Sequence, residues 1–293
     1  MYALQLFITG LQQGGIIALL SMGLALMFGV LRVVNFAQAD FMMLGMFSVI
    51  LIYNLLHINF VGAAVLLAVP AFFVGLTVYH FIIRQVGKAK LTSSPAHAQL
   101  LATLGLSLVI QNGAEMIWGA TPLTLGSSQE LSVWHVGALV IDQPRTIAFV
   151  IALGIAGVML AVLRGTALGR AVRAAASDPE AAGYVGVNVR LAYAGTFAVA
   201  IAISVVVGGI LVSYYPVTPV TGNDFILLMF TAVIMGGLGN VIGAMVGGLM
   251  LGLVQSMSQL FVPLELNSAV VFGLFLAMML IRPSGIFGEV TRL

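Results

Sequence analysis

The sequence predicts an all-α, polytopic transmembrane helical bundle, and three observations carry that prediction. Of 293 residues, 61% are hydrophobic and only 7% charged, against roughly 25% charged in soluble domains. So much apolar surface exceeds what one water-soluble core can hide. The apolar segments often run past the roughly 20 residues that cross a bilayer as a helix, and they lack the ~10-residue alternation of outer-membrane strands. Most of the charges fall between those segments.

In chain order, the candidate spans are 3–30, 38–57, 60–83, 98–118, 144–163, 191–214, 222–237, 241–262 and 268–282. The last three are short or glycine-rich, so the expectation is about 8–10 spans forming a single domain over 1–293. The first span has no basic stretch before it and no small-residue cleavage site after it, so it reads as a retained helix rather than a removable signal. It carries Gly10, Gln12, Gln13, Gly14 and Gly15, and leads into Asn35-Phe36-Ala37-Gln38-Ala39-Asp40. There Asn35 can cap a new helix with Gln38 at the third position, while Asp40 suits the positive end of the helix dipole. The segment reads equally as a capped turn between spans or as a functional hinge.

A second irregular region is Gly236-Gly237-Leu238-Gly239-Asn240, followed by Gly243, Gly247, Gly248 and Gly252. Spaced by four, Gly239, Gly243 and Gly247 are expected on one helix face, where small residues let helices approach closely in lipid. Both regions place Gly and Asn at a helix junction, one in each half. Duplicated transporters with broken helices carry such a pattern.

The basic residues set the expected orientation. Arg32, Arg84, Lys88, Lys90, Arg164, Arg170, Arg173, Arg190, Arg282 and Arg292 fall on one side of the nine-segment layout, and Arg145 alone on the other. By the positive-inside rule the first side is cytoplasmic, with the N-terminus outside and the C-terminus inside. The opposite face carries Glu115, Glu130, Asp142, Asp224 and Glu265, with Trp118 and Trp134 near the interface and a loop at about 119–143.

The chemistry present is sparse. There is no cysteine, His57, His80, His97 and His135 are scattered singly, and neither a phosphate loop nor an HExxH zinc motif occurs. No enzyme and no bound metal are therefore expected. The few basic residues are explained by topology rather than by nucleic acid. Asp40 is placed near the inner end of a span and Glu115 and Asp224 near outer ends, which disfavours a proton- or sodium-coupled mechanism. The neutral polar residues within spans are Gln12, Gln13, Thr103, Ser107, Gln111, Asn112, Ser204 and Thr231. Each either satisfies a neighbouring helix or lines a path for a small neutral or zwitterionic solute. A path without an energising ion needs its energy from a partner.

The longest connection on the basic side is 164–190. Within it Ser177 can cap a helix with Glu180 reaching back, or Asp178 can cap with Pro179 in the first turn. Gly183 and Gly186 limit that helix to one or two turns.

Glu180-Ala181-Ala182-x-x-x-Gly186 on this loop resembles the EAA signature of ABC-importer permeases. The wider chain resembles the branched-chain amino-acid (hydrophobic amino-acid uptake) permease family, and the likeness runs almost end to end. It includes Gly14-Gly15, Val34-Asn35-Phe36-Ala37-Gln38, Gly169-Arg170-Ala171-Val172-Arg173-Ala174, Gly236-Gly237-Leu238-Gly239-Asn240-Val241-Ile242-Gly243-Ala244, and Arg282-Pro283-Ser284-Gly285-Ile286-Phe287-Gly288.

The resemblance implies a bacterial inner-membrane permease subunit of an importer for amino acids or similar small solutes. Its implied partners are a second permease, identical or related, two cytosolic ATPase subunits that hold ATP and Mg, and a periplasmic solute-binding protein. It places Asp178, Glu180, Ala181, Ala182 and Gly186 at the ATPase contact. The substrate-path candidates are Gln12, Gln13, Asn35, Gln38, Thr103, Gln111, Asn112 and Thr231. Gly14, Gly15, Gly236, Gly237, Gly239, Asn240, Gly243 and Gly247 are candidates for packing or hinging. Two other readings stay open: a stand-alone secondary transporter or facilitative channel for a small neutral solute, and a scaffold subunit whose glycine faces only pack helices.

Overall fold

The largely buried helix α1 (Tyr2–Leu31) is the post around which the bundle assembles. In the computed structural model, which describes residues 2–88, 95–125, 133–136, 139–263, 266–282 and 284–288, the chain is helical almost throughout. Lys90, Glu130, Glu265, Pro283 and Arg292 lie outside the described residues. Helix α2 (Gln38–Leu56) is followed by α3 (Phe60–Val78), which runs through a π-helical turn at Tyr79–Ile83 into α4 (Arg84–Lys88). Next come α5 (Pro95–Trp118), the strands β1 (Val133–Val136) and β2 (Leu139–Asp142), and α6 (Gln143–Gly165). The polar loop holds α7 (Ala167–Ser177) and α8 (Pro179–Tyr184). Then follow α9 (Val189–Leu211), α10 (Thr221–Gly236), α11 (Val241–Met257) and α12 (Asn267–Ile281).

Among the described residues, seven helices are long and apolar enough to cross a membrane, and α10 and α12 are shorter apolar helices. Together they correspond to the nine candidate spans. The helices α1 and α9 are mostly covered by protein, whereas α3, α5 and α6 keep most of their apolar surface outward, as lipid-facing or partner-facing helices do. In the connection expected at about 119–143, β1 and β2 form an antiparallel hairpin, and Leu123 bridges Val217. Arg145 pairs with Asp142 at 3.2 Å and lies 5.3 Å from the centre of the Tyr214 ring, which anchors the start of α6.

Small residues set how closely the core helices approach. A Cβ added at Gly252 would run into the backbone of Gly14, and one at Gly248 into the backbone of Ala18, so α11 lies directly against α1. Gly243 and Gly247 face the other way, against Gly236 and Ala232 of α10. The expected single face of Gly239, Gly243 and Gly247 therefore needs correction. Gly239 precedes α11 in a turn at φ +82° and packs on Gly29, because Asn240 caps the helix by accepting from the Gly243 amide at 2.9 Å. The tail closes this corner: the backbone amides of Ile286 and Phe287 donate to the last carbonyls of α10, on Met235 and Gly236, and the Asn240 side-chain Nδ2 donates to the Phe287 carbonyl. Gly237, at φ +106°, makes the bend on which the tail sits.

The junction between α1 and α2, expected as a capped turn or a hinge, lies inside the bundle. After Arg32, in a left-handed conformation at φ 54°, the chain folds back into the bundle. Asn35, Ala37 and Gln38 are fully buried, and the Gln38 amide nitrogen sits beside Leu20 and Gly23 of α1. Gly23 lies eight residues before the end of α1, about 12 Å at the helical rise of 1.5 Å per residue. Helix α2 thus begins well inside the bundle, and Asp40 in its first turn is buried at 2% exposure. Asp40 thus lies near the end of its own span, as expected, but the short return of 33–37 carries that end inward, beside Gly23 of α1.

Candidate functional site

Two polar sites stand out, one at the end of the bundle and one inside it. The first is the loop 164–190. Thr166 caps α7 by accepting from the Gly169 amide at 3.1 Å, and Gly169 and Ala175 are buried where α7 packs across α1, α6 and α9. Helix α8 then projects from that platform. Its cap is Asp178, whose Oδ1 accepts the amides of Glu180 at 2.9 Å and Ala181 at 3.0 Å, with Pro179 in the first turn. The alternative Ser177–Glu180 cap does not form, because Ser177 is taken up as the last residue of α7. Glu180 is thereby left exposed, with its carboxylate free of the cap.

Two residues beyond Tyr184, Gly186 turns the chain out of α8 at φ +86°, a conformation costly for residues with a Cβ. The Val187 amide returns to the Ala182 carbonyl at 3.0 Å and seals the end. Ala182 is buried beneath the helix, whereas Ala181 faces outward as a small, smooth surface. Sequence reasoning overlooked Tyr184 and Val185, which are 89% and 78% exposed beside it. A large aromatic standing free on a polar loop is the signal that identifies them. Between this loop, α1, α11 and the tail opens a cleft of about 910 Å³ lined by apolar residues with Arg164 and Arg173 at its edge.

The second site gathers where α2, α5 and α10 meet. Thr103, Ser107 and Gln111 lie four residues apart on one face of α5. Thr103 accepts from the Phe36 amide at 3.4 Å, and Gln111 donates at 2.9 Å to Asp40, 3.1 Å to Ser107 and 3.1 Å to Asn223. Gly222 admits this contact, since a Cβ there would touch the Asp40 carboxylate at 2.5 Å. Buried beside this junction, the Asn35 Nδ2 and the Gln38 Oε1 have no partner.

Of the expected path residues, the structure therefore assembles Asn35, Gln38, Thr103 and Gln111 around the α1–α2 junction, and adds Asp40 and Asn223. The others sit elsewhere. Gln12 donates to Thr146 at 2.8 Å and Gln13 to Gln255 at 3.0 Å, each tying α1 to a neighbouring helix. Asn112 is exposed and donates to the Leu108 carbonyl of its own helix. Thr231 is buried but likewise bonds within its helix, to Leu227. Gly15 faces the Phe149 ring of α6.

Comparison with known proteins gives a consistent neighbourhood. The family described as "Branched-chain amino acid transport system / permease component" matches residues 6–279. The chain is 29% identical over 299 residues to the high-affinity branched-chain amino acid transport system permease protein LivH of Escherichia coli (strain K12), covering 99% of this chain and 96% of the relative. It is 28% identical to the corresponding permease protein BraD of Pseudomonas aeruginosa, over 98% of this chain and 96% of the relative. A probable branched-chain amino acid transport permease protein LivH of Methanocaldococcus jannaschii is 26% identical, over 93% and 89%. No solved structure matches.

Proposed function

The chain belongs to the family of branched-chain amino acid transport system permease components, and we propose that it is the membrane-spanning permease of an ATP-driven importer for amino acids. As a family member it is a transport component rather than an enzyme, and a multi-pass membrane protein, in bacteria of the inner membrane. The finer reading concerns its partners and how they act on it.

The observation that carries the reading is the construction of α8: capped by Asp178, stopped at Gly186, and presenting Glu180, Ala181, Tyr184 and Val185 outward. A six-residue helix is far below the ~12–15 residues that persist alone in water. Its cap, its glycine stop and the seat of Ala182 hold it in place for a partner. By the positive-inside rule this end faces the cytosol, where an ATPase subunit would receive α8. On this reading ATP and Mg are bound by that partner and not by this chain.

Movement of α8 would pass through α7 into α1, α6 and α9, the helices on which α7 rests. Rearrangement of those helices would switch the path between outward and inward access. A second permease subunit would complete the path, and an external binding protein would deliver solute to the opposite face. Within the chain, the path is assigned to Asn35, Gln38, Thr103 and Gln111. Gln12 and Gln13 serve packing, each being spent on a hydrogen bond between helices.

Glu180→Lys and Tyr184→Ala test the reading, because neither side chain supports the fold. Both variants are expected to keep the wild-type melting temperature while losing ATPase-subunit co-purification and uptake. Retention of both assembly and uptake would remove α8 from the coupling role.

A further inference from the structure

Among the described residues, the cluster around Asp40 offers only neutral hydrogen-bond donors to the carboxylate. The Asp40 carboxylate is held by two neutral donors, the Gln111 amide at 2.9 Å and the Ser107 hydroxyl, and the same Gln111 nitrogen lies 3.1 Å from both Asn223 Oδ1 and Ser107 Oγ. An amide nitrogen carries two hydrogens, and a carboxylate alone offers about four acceptor sites. At the same junction the buried Gln38 Oε1 and Asn35 Nδ2, one acceptor and one donor, have no partner. Among the described residues the one ion pair is Arg145 with Asp142, and none of their cations pairs with Asp40. A buried charge with no opposite charge beside it is unfavourable, and in membrane helices such groups mark substrate or ion paths. A buried carboxylate held only by neutral donors, with the Asn223 Oδ1 acceptor beside it, fits a ligand that brings positive charge on N–H groups. A primary ammonium supplies one charge and three donors.

The cluster is also reachable. Asp40 is buried, but Gln111 is half-buried and Asn223 exposed, so the polar network runs from the interior to the surface between α5 and α10. Gly222 leaves the carboxylate uncovered by any side chain of its own.

We propose that Asp40, with Asn223 and Gln111 beside it, binds the ammonium group of the transported solute and selects amine-bearing substrates over isosteres that lack the amine. The assignment rests on the amino-acid reading of the previous subsection and adds the group that recognises the substrate. Asp40 makes the charged contact, Asn223 Oδ1 is the second acceptor, and Gln111 holds both in register until the ammonium replaces its hydrogen bonds.

The test uses the full chain in lipid nanodiscs and equilibrium binding of radiolabelled L-leucine. Leucine methyl ester, which keeps the ammonium, and 2-hydroxyisocaproate, which replaces it with a hydroxyl, serve as competitors. The ester is expected to compete, and the hydroxy acid to be weaker by about tenfold to a hundredfold, the range for a hydrogen bond to a charged group. Asp40→Asn is expected to weaken leucine binding by a similar factor and to erase the preference for the ester, while Asp40→Glu retains part of it.

The proposal is overturned if a folded Asp40→Asn chain binds leucine as wild type does, or if the hydroxy acid competes as well as the ester. Should Asp40→Asn fail to fold, the competitor series on the wild-type chain decides alone. A wild-type chain that binds no leucine also overturns it, and leucine uptake by the assembled transporter separates the two readings. Uptake intact in wild type and in Asp40→Asn removes the ammonium assignment alone, whereas no uptake by wild type removes the amino-acid reading with it.

Discussion

Replacing Asp178 with Ala removes the cap of α8 while leaving every apolar contact in place. The lost interactions are two hydrogen bonds from the Glu180 and Ala181 amides, at 2.9 and 3.0 Å, to one carboxylate oxygen. Both amides are at an exposed helix end, so water replaces the carboxylate and the net cost is that of an N-cap, about 1 kcal/mol. In a helix of six residues that cost falls on a local equilibrium, not on global stability. It corresponds to about a fivefold rise in the opened fraction of α8.

Hydrogen exchange followed by mass spectrometry over 178–187 reads this directly. The expected result is about fivefold faster exchange in Asp178→Ala, little change in Asp178→Asn, which preserves a good cap, and an unchanged melting temperature for both. Because a disordered α8 must be ordered on docking, ATPase affinity should fall with it. Unchanged exchange in Asp178→Ala would refute the cap as the element that holds α8. Equal loss of assembly in the Ala and Asn variants would instead place the effect in the charge.

Two further substitutions probe the backbone. Gly252→Val forces a branched side chain against the backbone of Gly14, and overpacking of this kind costs about 1–3 kcal/mol, so the melting temperature in detergent should drop, with no rescue by partner subunits. Gly186→Ala meets open space but must hold φ +86°, at about 1–2 kcal/mol. Uptake should fall while the melting temperature holds, and unimpaired uptake would show that the stop is dispensable.

Much of this architecture was legible in the chain, because hydrophobic length reports membrane crossing directly and a polar island between two apolar runs reports a loop. The Gly186 stop was legible for the same local reason: few residues other than glycine tolerate that φ. Choosing between Ser177 and Asp178 as the cap was not possible locally, since it depends on how far the preceding helix α7 runs. The polar stripe of α5 could be read at a spacing of four, but its meaning could not. Asp40 and Asn223 lie 183 residues apart and meet at Gln111 only because α2 starts deep in the bundle, beside the start of α10. Hydropathy assigns a polar turn such as 33–37 to the membrane surface, and here burial within protein substitutes for water. The face assigned to Gly239 failed for a related reason: Asn240 is a strong cap and begins the helix after that glycine.

The claim at the centre of this account is that the chain provides a path but not the energy to use it. Uptake of radiolabelled L-leucine into liposomes tests that claim, comparing the purified chain alone with the chain assembled with its second permease, ATPase subunits, binding protein and ATP. The account predicts accumulation only in the complete, ATP-supplied system. Uptake by the chain alone, unaffected by the other components, would contradict it and make the protein a self-sufficient transporter.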